Sequence, residues 1–65
     1  MPQTVTIDEA EEIRNRIKST VYEFSVRIGF APTAYYQAVR RGRIGPLMSS
    51  QIVRHFARHL LEIRR

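Results

Sequence analysis

The sequence predicts an all-α fold: a compact four- to five-helix bundle in one domain, residues 1–65. Three observations carry that expectation. Thr6 with Glu9 and Thr20 with Glu23 are spaced as capping boxes, each of which opens a helix. Apolar residues recur every three to four positions along most of the chain. No strand pattern stands outside Val5–Thr6–Ile7, and there is no repeat or low-complexity segment.

Residues 1–5 read as a loose N-terminal arm. Thr6 then caps a first helix over about Ile7 to Lys18, and the clustered acids that follow suit the positive end of its dipole. Ala10, Ile13 and Ile17 form its apolar face, while Glu12 and Arg16 stand one turn apart on the exposed side. Thr20 opens a second helix at about Val21, with Phe24 and Ile28 on one face and Val21 and Ser25 beside them. Gly29 ends it, because glycine takes the left-handed conformation without a side-chain clash. Pro32 suits the first position of a third helix, where its missing N–H would have had no partner. Tyr35, Ala38 and Val39 are its expected buried side; Thr33, Tyr36, Gln37, Arg40 and Arg41 make the other. Gly42 stops it, and Arg43–Ile44–Gly45–Pro46 reads as a turn. A fourth helix is expected from a Ser49 or Ser50 cap, with Ile52, Val53, Phe56, Ala57, Leu60 and Ile63 inward and Arg54, His55, Arg58 and His59 outward.

A chain of 65 residues buries only about 60% of the surface its unfolded form exposes, so its core is small. Cysteine is absent, which removes disulfides and thiolate zinc as reinforcement and leaves self-association as the usual route. No apolar run approaches the roughly 20 residues that span a membrane, and the N-terminal stretch lacks the order of a signal peptide. The expected location is the cytoplasm, with no membrane partner and no small-molecule ligand. Eleven Lys and Arg against six Asp and Glu give a net charge of +5. Asp8, Glu9, Glu11 and Glu12 hold four of those acids, and none lies between Phe24 and Leu61, an interval that carries Arg27, Arg40, Arg41, Arg43, Arg54 and Arg58. Such a surface rewards phosphate neutralisation, which makes nucleic acid the leading partner class. On charge alone, a solvated basic surface that aids solubility stays open.

Two short helices joined through a glycine-containing turn of about four residues describe a helix-turn-helix unit. The run Thr20–Val21–Tyr22–Glu23–Phe24–Ser25, then Arg27–Ile28–Gly29–Phe30, then Arg41–Gly42–Arg43 and Pro46, resembles the Cro and lambda-repressor (XRE-type) helix-turn-helix domains in order and spacing. The resemblance covers about residues 6 to 61. Val21 stands where that family often has glutamine, and Ala31 where it often has a serine cap worth about 1 kcal/mol.

The resemblance implies that the third helix enters the major groove of double-stranded DNA. Thr33, Tyr36 and Gln37 are then the base-contact candidates, with a phosphate contact as the alternative for Tyr36. Arg40, Arg41 and Arg43 would reach backbone phosphates, or one of them guanine, and Thr20, Tyr22 and Arg27 would border the backbone; for Arg27 a solvated or intramolecular pair is the alternative. His55 and His59, one turn apart, lack a third metal ligand in the sequence, and no nucleophile, base and oxyanion set is visible, so neither a metal, a cofactor nor an enzyme is expected. Leu60, Leu61 and Ile63 are the candidate dimer contact, and pairing of two Val5–Ile7 arms as strands is the competing one. The functional expectation is a homodimeric transcriptional repressor on an inverted-repeat operator, of the kind found on phages and mobile elements. A protein-interaction module (an antitoxin or antiactivator) and an excisionase-like architectural protein are the alternatives.

Overall fold

Capping starts the first two helices where the sequence places them. In the computed structural model, which describes residues 4–65, the Thr6 hydroxyl accepts from the Glu9 N–H at 3.1 Å and the Glu9 carboxylate accepts from the Thr6 N–H at 3.0 Å. Thr20 and Glu23 repeat both bonds at the same lengths. The chain forms α1 (Ile7–Arg16), α2 (Val21–Arg27), α3 (Pro32–Arg41) and α4 (Pro46–Ile63), four helices and no strand among the described residues. Helix α1 packs on α4, and α2 on α3.

The first three helices end in one way. Each closes with a bond from an N–H to the carbonyl five residues back: Ser19 to Arg14 at 3.0 Å, Phe30 to Ser25 at 2.9 Å, Arg43 to Ala38 at 3.2 Å. The residue before each of those donors is left-handed, as this closure requires: Lys18 at φ 53°, Gly29 at 83° and Gly42 at 79°. Gly29 and Gly42 were legible as stops. Lys18 was not, and it corrects the expected end of the first helix from Lys18 to Arg16; a lysine accepts this conformation at a cost of about 1 to 2 kcal/mol.

Two boundaries differ from expectation for reasons of local chemistry. Helix α4 starts at Pro46, not at a Ser49 or Ser50 cap, with Gly45 as its extended N-cap. Glycine and proline read as breakers, yet proline at the first helical position also opens a helix. Ser49 instead lies inside α4, 1% exposed, and its hydroxyl accepts from the Val5 N–H at 3.2 Å. The arm is therefore not loose at its inner end: Val5 is 1% exposed and belongs to the core. Residues 1–3 of that arm lie outside the described residues. Pairing of Val5–Ile7 arms as strands is incompatible with this arrangement, since Val5 is buried with its N–H engaged and Ile7 is helical.

The core is built around Phe24. Its ring stacks on Phe56 at 5.2 Å between centroids and meets the edge of Tyr35 at 5.5 Å, so α2, α3 and α4 converge on one side chain. Ile13, Ile28, Ile52 and Leu60 fill the space around it. Ser25 is wholly buried where a small side chain was expected, and its hydroxyl bonds to no other protein group, so its size is what the position uses. Two inward assignments need correction. Val39 is 40% exposed, because the buried arc of α3 runs through Ala34, Tyr35 and Ala38. Ala57 is exposed, whereas Val53 and Ile63 are half-buried and pack against the core as expected. At Phe56 the backbone leaves helical geometry (φ −131°, ψ 31°), which interrupts the regular rotation of α4. His59, expected outward, is half-buried with its ring 6.2 Å from that of Phe56.

Polar clamps tie α1 to the rest. The Glu11 carboxylate receives the Tyr35 hydroxyl and two Arg14 nitrogens, at 2.7 and 3.3 Å, and Arg14 also donates to the Ser19 carbonyl at 3.0 Å. Arg14 holds the Glu11 carboxyl below the usual carboxylate range, while burial and then Glu11 push the Tyr35 hydroxyl well above the phenol range. Tyr35 thus stays a donor at any physiological pH. Arg16 pairs with Glu12 at 3.3 Å, as expected, and with Glu62 at 3.2 Å. Arg64 bonds Glu9 at 2.6 Å and the Thr4 carbonyl at 2.7 Å.

Through the Arg64 bond above all, the Glu9 pKa falls from 4.5 to about 2. Its contribution is therefore complete above pH 4.5 and is lost as pH drops from there towards 2. Glu9→Gln keeps a capping side chain but removes the charge. It should lower the urea midpoint at pH 7, with the gap to the parent closing between pH 5 and 2; a gap independent of pH would contradict the assignment.

Candidate nucleic-acid interface

Helix α3 is positioned from beneath. The four residues from Ile28 to Ala31 link it to α2, with Gly29 supplying the left-handed bend and Pro32 the first helical dihedral. Phe24 meets the Tyr35 ring, and Glu11 takes its hydroxyl, so two contacts fix how α3 is rolled about its axis. Ala34, Tyr35 and Ala38 face inward as a result. Thr33, Tyr36, Gln37 and Arg40, spaced at i, i+3, i+4 and i+7, form one exposed face along a helix about 15 Å long.

Every base-contact candidate is on that face: Thr33 and Gln37 are exposed, and Tyr36 is 56% exposed. Arg40 and Arg41 occupy the last turn of α3, where cations also suit the helix dipole, and Arg43 lies exposed just beyond Gly42. Tyr22 and Arg27 are exposed on α2. Thr20 is exposed too; its hydroxyl oxygen accepts from the Glu23 N–H, and its proton is free to donate to a phosphate oxygen.

The distribution of ion pairs separates two surfaces. Four of the six acids (Glu9, Glu11, Glu12 and Glu62) pair with Arg14, Arg16 and Arg64, all on α1 or at the C-terminal end of α4. Among the described residues no carboxylate pairs with Arg27, Arg40, Arg41, Arg43, Arg54 or Arg58. The side of the molecule that carries α3 therefore keeps its positive charge. Among the described residues Arg27 makes no ion pair.

The three residues expected to self-associate differ in exposure. Leu60 is 4% exposed and part of the monomer core, Leu61 is 70% exposed, and Ile63 is half-buried. What α4 does expose is a shallow groove of about 180 Å³ lined by Val53, Ala57, Leu60, Leu61 and Arg64. The dihedral break at Phe56 explains why helical periodicity assigned Ala57 to the core. Sequence reasoning also missed Leu47, which is 76% exposed, and a cavity beside it between α3 and α4. Neither carried a signal, since both follow from where α4 begins.

Among the described residues no three His, Cys, Asp or Glu side chains cluster as metal ligands, and no helix is long and apolar enough to cross a membrane. No protein-family model, curated protein or solved structure matches the chain.

Ala31, the N-cap of α3, has extended backbone (φ −69°, ψ 148°) and no side-chain bond to the helix. Serine there would accept from an N–H of the first turn without disturbing exposed neighbours. Ala31→Ser should raise stability by about 1 kcal/mol, which on a chain this short is a rise in melting temperature of roughly 4 to 8 °C, readable by thermal denaturation.

Proposed function

We propose that the chain is a sequence-specific DNA-binding transcriptional regulator, a repressor that holds an inverted-repeat operator as a homodimer. The observation that carries this reading is the exposed face of α3, where Thr33, Tyr36 and Gln37 stand among arginines that no carboxylate neutralises. In this reading α2, its four-residue turn and α3 act as a helix-turn-helix, with α3 in the major groove. Gln37 is suited to a bidentate pair with adenine, Thr33 to a base edge or a thymine methyl, and Tyr36 to either a base or a phosphate. Arg27, Arg40, Arg41 and Arg43 hold phosphates, with Thr20 and Tyr22 beside them, and set the register of the helix. Rigid support matters here, because α3 is anchored by Phe24 and Glu11 before any DNA arrives.

The α4 groove supports two-fold association. Val53, Ala57 and Leu61 recur at i, i+4 and i+8, and two copies crossing antiparallel at Ala57 would set Leu61 of each against Val53 of the other. The small side chain at the centre permits close approach. On an inverted-repeat operator such a dimer has to present its two recognition helices roughly 34 Å apart, one helical turn of DNA.

Gln37→Ala should lose about 1 to 3 kcal/mol of discrimination at one position of the half-site. Arg40→Ala should weaken binding to all sequences alike and reduce the slope of log K against log salt by about 1. Anisotropy titrations on the DNA upstream of the gene and on random duplex, at several salt concentrations, separate the two; equal losses on both duplexes for both variants would sink the assignment. Leu61→Glu should yield a monomer by sedimentation and lose the advantage of two half-sites over one, with circular dichroism confirming that its helices are kept.

A further inference from the structure

Next to the exposed face of α3 lies a cavity of about 240 Å³, closed on its far side by the start of α4. Ala38 and Met48 are buried and line its depth, with half-buried Ala34 beside them; Leu47 makes an exposed wall, and Gln37 and Arg41 stand at its mouth. No acid lines it. Its size falls below the roughly 300 Å³ at which pockets for free small molecules begin, so it suits one inserted side chain. Duplex DNA has nothing to fill it, because stacked bases offer only edges and methyl groups in the groove. Among its lining residues Phe30 is the one aromatic side chain, which argues against a flipped base seeking an aromatic platform. Methionine at the bottom adapts to the shape of an aliphatic or aromatic occupant. Arg41 of the lining and its chain neighbours Arg40 and Arg43 are exposed and without carboxylate partners among the described residues.

We propose that this cavity docks an acidic protein segment, which inserts one Leu or Phe side chain between Ala34 and Leu47 and sets flanking carboxylates against Arg41 and its neighbours. Gln37 and Arg41 then serve two ligands in turn. A bound segment covers them and excludes DNA, which makes the cavity the point at which a partner protein lifts the regulator from its operator. The exclusion of DNA rests on the DNA-binding reading above; occupancy of the cavity does not.

The test uses fluorescein-labelled dodecapeptides of Asp and Glu that differ only in one central residue: Leu, Phe or Ala. The Leu and Phe peptides should bind the full chain at least tenfold more tightly than the Ala peptide, and methyl NMR shifts should centre on Ala34, Ala38 and Met48. Ala34→Leu fills the cavity and should erase that tenfold difference while leaving duplex binding unchanged, with circular dichroism confirming its fold. Leu47→Ser, at an exposed position that does not load the core, should reduce the difference without that risk. Equal binding of all three peptides would reduce the attraction to charge alone and overturn the proposal. So would shifts centred elsewhere, or the same shifts produced by a single-stranded oligonucleotide and not by the peptides. Peptide discrimination without any operator binding would uphold the cavity and remove the DNA reading; competition between Leu peptide and operator upholds both.

Discussion

Everything in this molecule depends on the burial of one ring. Phe24 has no exposed surface, stacks on Phe56 of α4 and receives the edge of Tyr35 from α3. Deleting a buried phenyl group costs about 3 to 5 kcal/mol, whereas a chain of this length has a total stability of roughly 3 to 10 kcal/mol. No second cluster is large enough to compensate. The same ring also orients: because it holds Tyr35 from one side and Glu11 holds the phenol from the other, the neighbouring Tyr36 has no freedom to turn inward. Core stability and the presentation of α3 are thus a single property.

Electrostatics divides the molecule along the same lines. Of the acids near the N-terminus, Glu9, Glu11 and Glu12 are paired with Arg64, Arg14 and Arg16, and Arg16 and Arg64 also tie α1 to the end of the chain. Exposed ion pairs of this kind contribute little stability each. Their larger effect is on the field, since a carboxylate already paired does not neutralise an arginine elsewhere. The arginines of α3 and its following turn are left to attract anions, over a range limited to about 8 Å by physiological salt.

Much of the fold is legible in the sequence because local chemistry decides it. Capping boxes at Thr6 and Thr20, proline at position 32 and glycines at 29 and 42 each act within one turn, and each does what its type dictates. Boundaries set by an ambiguous or unmarked residue are not legible: Gly45–Pro46 opens a helix where it might equally close one, and Lys18 takes a conformation that no sequence signal announces. Rotational assignments fail where tertiary contacts choose the roll, as at Val39, where Glu11 draws Tyr35 round, and at Ala57, where Phe56 breaks the helical period. The candidate site fares similarly. Exposure of Thr33, Tyr36, Gln37 and the arginines follows from periodicity, but their lack of partners depends on where Arg64 and Glu62 land, and that is a property of the whole fold.

The clamps on α1 also impose an order on assembly. Val5 finds its acceptor 44 residues downstream in Ser49, Arg16 reaches Glu62 across 46 residues, and Glu9 waits for Arg64 across 55. Helices α2 and α3, by contrast, close on each other across a single short turn. Helix α1 therefore completes its packing only once the end of α4 is in place, and until then Ala10 and Ile13 of its apolar face lack the surface that covers them in the folded chain.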